Sequence, residues 1–91
     1  MTAERRSLTI CNDKGLHARA SARFVSVVEA HDARARVSHD GIEVTGDSIM
    51  GLLMLAAAKG STIEVETEGP EAAALMEALE TLVESRFGED S

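Results

Sequence analysis

The feature that most constrains the fold is a repeated change in the spacing of apolar residues. Arg6 to Asn12 alternate, with Leu8 and Ile10 on one side and Thr9 and Cys11 on the other, as in a strand with one buried face. After the Asp13-Lys14-Gly15 turn the period becomes helical from about His17 to Ala30, where Ala20, Phe24, Val27 and Val28 form one stripe beside Arg19 and Arg23. Ala33, Ala35 and Val37 alternate again with Arg34, Arg36 and Ser38. Asp40-Gly41 suits a tight hairpin, and Ile42 and Val44 continue as a third strand. Ser48 is a good N-cap for the apolar run Ile49 to Leu55, and Lys59-Gly60 is expected to close that helix. Ile63 and Val65 alternate with Glu64 and Glu66. Gly69-Pro70-Glu71 opens the last helix, whose stripe is Leu75, Met76, Leu79, Leu82 and Val83. That helix is expected to end near Phe87-Gly88, with Glu89-Asp90-Ser91 fraying.

The order is βαββαβα. Strands with one apolar face and helices with one apolar stripe require two layers: an α+β fold with an antiparallel sheet and its helices on one side. The opposite face, with Thr9, Arg34, Arg36, Glu43, Glu64 and Glu66, should be wet. The 91 residues are read as one domain, 1–91, large enough for one modest core.

Composition removes several functional classes. The formal net charge is −7, against the clustered Lys and Arg that nucleic-acid phosphates need. Two Phe and no Trp or Tyr leave no stacking platform for single strands. The one cysteine, Cys11, forms no internal disulfide and builds no zinc site alone. His31 and His39 read as a helix-end cap and a strand-end residue, and no metal or other cofactor is expected. No apolar run approaches the ~20 residues of a membrane span. Met1 to Arg6 is polar and lacks a signal-peptide core, so a cytoplasmic location is expected.

Two segments carry chemistry. Gly15-Leu16-His17-Ala18-Arg19 puts an imidazole at the mouth of a helix, with a guanidinium two residues on. Unpaired N–H groups and a partial positive charge make a helix N-terminus an anion site. A neutral imidazole nitrogen there is a nucleophile. If it took a phosphoryl group, the Ala18 and Arg19 N–H groups and the Arg19 fork could hold the dianion. By geometry alone the plainer reading is that His17 is an N-cap and Arg19 a surface charge. In the second segment, Ile49, Met50 and Leu53 cluster on one side of a short helix while Leu52 and Leu55 point away. Either one face is an exposed docking patch or the helix is buried all round; periodicity leaves both open. Ser48 is structural by default, although a phosphate there would suit the helix dipole and add negative charge beside the patch.

Together the two segments resemble the HPr family, the histidine phosphocarriers of the phosphoenolpyruvate-dependent phosphotransferase system. Gly15-Leu16-His17-Ala18-Arg19 is similar to the family's active-site segment, and Asp47-Ser48-Ile49-Met50-Gly51-Leu52-Leu53, followed by Lys59-Gly60, to its regulatory-serine segment. The resemblance covers nearly the whole chain. It implies an open-faced sandwich with sheet order 1-4-2-3 and three helices on one face. It also implies that His17 accepts a phosphoryl group on Nδ1 from phosphorylated enzyme I, that Arg19 stabilises it, and that an enzyme IIA protein receives it. Ser48 would be the site of an HPr kinase/phosphorylase. Leu16, Ala20, Ile49, Met50 and Leu53 would form the docking surface of a monomeric carrier that is not itself an enzyme.

The chain departs from the family pattern at Ala20, usually Pro, and at Asp47, often Lys. The Ala20 variant resembles alphaproteobacterial members, where a nitrogen-related regulatory relay is the common setting. The competing readings are an HPr-fold regulator acting only through Ser48 and a ferredoxin-like domain binding a small effector with no use for His17.

Overall fold

The computed structural model describes residues 3–91; the first two residues of the polar start lie outside it. The elements are β1 (Ala3–Thr9), α1 (Ala18–Glu29), β2 (Arg34–His39), β3 (Ile42–Thr45), α2 (Ile49–Met54), β4 (Thr62–Glu68) and α3 (Ala72–Glu84), then a 3-10 turn at Arg86–Gly88. The strands form one antiparallel sheet in the order β1-β4-β2-β3, as the family resemblance implied.

Register follows from the side-chain pattern. Leu8 pairs with Ile63 and Val37 with Val65, so the apolar positions fall on one face. On the other face Arg36 stands opposite Glu66 and Arg34 opposite Glu68, and both pairs form ion bridges. Ser7 Oγ donates to Glu64 at 2.6 Å on the same face. These exposed pairs fix register more than they add stability. The β2–β3 hairpin turns at Asp40 and Gly41, with φ of 53° and 83°, the double left-handed geometry of a tight hairpin whose twist matches its strands.

Both long helices turn their stripes to the apolar face. α1 buries Ala20, Phe24, Val25 and Val28, and α3 buries Leu75, Met76, Leu79 and Val83; all join one core cluster with Ile10, Val37, Ile63 and Val65. Full burial of side chains this size contributes roughly 1.5–3 kcal/mol each before entropy is counted. α3 lies across β1 and β4 and touches α1 along its side.

Four expectations change. β1 begins at Ala3 and ends at Thr9, because backbone pairing with β4 runs from Ala3–Glu68 to Thr9–Thr62; Ile10 continues it through Ile10 N–H to Ser61 O at 2.8 Å. Ile42 is exposed on the short edge strand β3. α2 stops at Met54 rather than at Lys59-Gly60, since Leu55 turns inward to the core and Ala56 takes the left-handed position with φ 52°. The chain end is packed: Phe87 is fully buried beyond α3, and the residues after it fold back over the start of α1. Among the described residues no helix is long and apolar enough to cross a membrane.

Candidate functional site

The site begins with the turn before α1. Gly15 has φ 66° and its N–H donates to Asn12 O at 3.2 Å, closing the turn. Leu16 N–H donates to Ala57 O at 2.9 Å, tying the turn to the segment after α2. His17 follows in an extended conformation, φ −80° and ψ −176°, and is the N-cap of α1. It caps with its ring: Nδ1 accepts from Arg19 N–H at 3.3 Å. An imidazole nitrogen that accepts must carry its lone pair, so the proton sits on Nε2. Nε2 donates to Glu89 Oε2.

Glu89 is the residue that sequence reasoning missed. The polar tail is expected to fray, yet Glu89 Oε2 accepts from His17 Nε2 and Oε1 accepts from Asn12 Nδ2 at 3.0 Å. The Glu89 carboxyl is held below its ordinary value, first by the Asn12 hydrogen bond and then by that of His17, with Lys14 adding a weaker attraction. The usable signal was Phe87, an aromatic residue just past the last helix, whose burial pins the tail. Arg23 strengthens the pin by donating to Phe87 O.

The result is an open, polar depression of about 640 Å³ around His17, walled by Lys14, Arg19 and Arg23 and also by the carboxylates of Asp13, Glu89 and Asp90. His17 retains about a quarter of its side-chain exposure, 27%. A backbone N–H already points at its Nδ1, and the exposed Arg19 lies in the first turn of the same helix. A nucleophilic nitrogen, a helix N-terminus and three cationic side chains in one open depression are the groups that hold an anion while a bond forms to it.

The second segment resolves the choice periodicity left open. Leu52 and Leu55 are buried, whereas Ile49, Met50, Leu53 and Met54 are exposed, Met50 at 70% and Met54 at 65%. Met54 is an addition to the expected patch. Leu16 and Ala20 are a correction: at 4% and 0% exposure they lie in the core, so they support the face from beneath and do not line it. The stripe that packs α1 on the sheet passes through Ala20, and Leu16 turns inward with the Ala57 hydrogen bond. Ser48 is the N-cap of α2, its Oγ accepting from Gly51 N–H at 3.0 Å. His31 and His39 each place Nδ1 against a backbone carbonyl, of Val27 and Thr62. Cys11 donates to Val83 O at 3.2 Å.

Comparison with known proteins places this geometry. A family model described as "PTS HPr component phosphorylation site" matches residues 4–85. The chain is 45% identical over 84 residues to the phosphocarrier protein HPr of Cupriavidus necator, covering 92% of this chain and 94% of the relative. It is 36% identical over 91 residues to the phosphocarrier protein NPr of Shewanella violacea, covering 100% of both. The crystal structure of HPr-C-His from Thermoanaerobacter tengcongensis superposes with a TM-score of 0.91 at 33% identity, covering 97% of this chain and 99% of that one. By sequence over nearly its whole length and by fold, the chain belongs to the HPr family of phosphocarrier proteins of the phosphotransferase system.

Proposed function

We propose that the chain, acting as a single domain, carries a phosphoryl group on His17 Nδ1, taking it from phosphorylated enzyme I and passing it to an enzyme IIA protein. The observation that carries this reading is His17 Nδ1 facing the Arg19 N–H at 3.3 Å, at the mouth of α1 in an open depression. Attack by Nδ1 forms a P–N bond as the donor nitrogen leaves with its electron pair. The phosphoryl oxygens then inherit the Arg19 N–H and meet the Arg19 side chain, whose planar fork suits a dianion. A phosphoramidate keeps a high transfer potential, so the group is handed on rather than stored. The chain has no nucleotide-binding motif of its own and works as a carrier between enzymes, not as an enzyme.

Ile49, Met50, Leu53 and Met54 are the docking patch that successive partners share. Exposed apolar surface of this kind marks a protein-binding site, and weak, fast exchange calls for small interfaces. Ser48 is the regulatory position for an HPr kinase/phosphorylase: a phosphate there would cap α2 while placing charge beside the patch. Asp47 next to it already carries negative charge. The carrier works as a monomer in the cytoplasm, and the match to an NPr supports a nitrogen-related regulatory relay.

The test is a phosphotransfer assay with enzyme I, phosphoenolpyruvate and Mg²⁺, read by intact mass, with His17→Ala as control. An acid-labile phosphoryl group on the parent chain and none on the variant is the expected result. No transfer from a demonstrably active, matched enzyme I would overturn the reading.

A further inference from the structure

We propose that Glu89 is a positioning residue for His17, fixing the ring tautomer through a hydrogen-bond chain that starts at Gly15 and runs through Asn12. The inference rests on the carrier reading and names a residue that the reading does not need.

The chain of donors and acceptors admits only one assignment. Gly15 O is an acceptor and lies 2.8 Å from the Asn12 Nδ2. That carbonyl fixes the direction of the Asn12 amide, because turning it over would set two oxygens against each other. The same NH₂ group donates to Glu89 Oε1 at 3.0 Å. Asn12 is fully buried, and its Oδ1 has no hydrogen-bond partner. A buried orphan acceptor is costly, so the amide holds this orientation for what its NH₂ group does. Glu89, an acceptor at both oxygens, then presents Oε2 to His17 Nε2 and demands a proton there. The proton on Nε2 leaves the lone pair on Nδ1, where Arg19 N–H meets it.

The arrangement fits both directions of transfer. When Nδ1 forms its bond to phosphorus, the ring becomes positive and keeps its Nε2 proton, with the Glu89 carboxylate beside it to balance the charge. When the group moves on, the bonding pair returns to Nδ1 and the ring is neutral again. No proton has to move in either step. The same carboxylate leaves the phosphorylated ring protonated, and so a good leaving group.

The test compares Glu89→Gln with Glu89→Ala in the full chain. A glutamine has one acceptor and one donor. Asn12 claims the acceptor, so the glutamine NH₂ faces Nε2 and favours the proton on Nδ1, where it blocks attack. An alanine only releases the ring. Nitrogen-15 NMR of the histidines is expected to show the Nε2–H form in the parent, a weakened preference for it in Glu89→Ala, where Arg19 N–H still faces Nδ1, and a shift toward Nδ1–H in Glu89→Gln. Transfer from phosphorylated enzyme I is expected to fall roughly ten- to a hundredfold in Glu89→Gln, the range of one charge-assisted hydrogen bond, and less in Glu89→Ala. The parent tautomer in both variants, with transfer within about twofold of the parent, would overturn the proposal. A merely structural tail would affect alanine at least as much as glutamine, which would equally overturn it. The NMR readout needs no donor enzyme, so its failure is distinguishable from failure of the carrier reading, in which the parent accepts no phosphoryl group.

Discussion

Replacing Gly15 by alanine tests how the turn before α1 holds His17 in place. Gly15 has φ 66°, and a Cβ built there would lie 2.5 Å from Ala57 O and 2.9 Å from Ala58 Cα. Two costs add. The left-handed conformation disfavours alanine by about 1 kcal/mol relative to glycine. The contacts are with backbone atoms, which cannot swing aside as a side chain can, and overpacking of this kind costs roughly 1–3 kcal/mol. The sum is about 2–4 kcal/mol, a large share of the 5–15 kcal/mol that typically stabilises a domain. In a domain this size that lowers the Tm by roughly 10–25 °C. Gly41→Ala separates the two costs: Gly41 has φ 83° but nothing within 4 Å of its Cβ position, so only the conformational part applies. Its Tm should fall by about 4–8 °C. Differential scanning calorimetry of both variants gives the answer. Equal losses in the two, or a Gly15→Ala Tm within about 2 °C of the parent, would refute the claim that Ala57 and Ala58 form a fixed wall behind the turn.

Other expectations follow from the same coordinates. Ala56→Gly should raise the Tm by about 4–8 °C, since Ala56 is exposed at φ 52° and glycine relieves about 1 kcal/mol there; calorimetry showing a lower Tm would contradict the assignment of the α2 end. Met50→Glu should slow transfer to and from both partners while leaving the Tm within about 3 °C of the parent, because Met50 is 70% exposed and surface changes cost little; unchanged kinetics with both partners would remove the docking face. Lys59 donates to Asp13 at 2.8 Å and holds that exposed carboxyl below its ordinary 3.8, through the hydrogen bond first and the charge second. A depressed carboxyl pKa stabilises the fold above that value and less as pH falls through and below it. The Tm gap between parent and Lys59→Met should therefore close as pH is lowered past 3.8, and a gap independent of pH would show that the pair does not act.

Much of this was legible in local pattern. The alternating strands, the stripes of α1 and α3, the capping positions of His17 and Ser48 and the Asp40-Gly41 hairpin each depend on neighbours a few residues away. What escaped depends on distant partners. Asn12 and Glu89 lie 77 residues apart, and no spacing rule links a turn residue to a chain end that looks polar and loose. The end of α2 was misplaced because Lys59-Gly60 forms its own turn before β4, while the chain leaves the helix earlier at an alanine in a glycine-like conformation. The family resemblance implies that Leu16 and Ala20 belong to the docking surface, although the apolar stripe of α1 already contains Ala20; both lie in the core. Leu16, one residue before the capping histidine, and Ala20, three residues after it, fall on the inner side, while Ala18 and Arg19 between them face out.

The Glu89 contact also ties the site to the order of synthesis. His17 and Glu89 are separated by 72 residues, and Phe87, which anchors the tail, packs only where α1 and α3 already meet. A ribosome adding about 5–20 residues per second exposes His17 several seconds before Glu89 exists. β1 likewise waits for β4, the strand it pairs with. A partly made or clipped chain therefore displays the imidazole without the carboxylate that orients it. The oriented nucleophile is completed only when two segments 72 residues apart have reached their places, so the site reports on the folding of what lies between them.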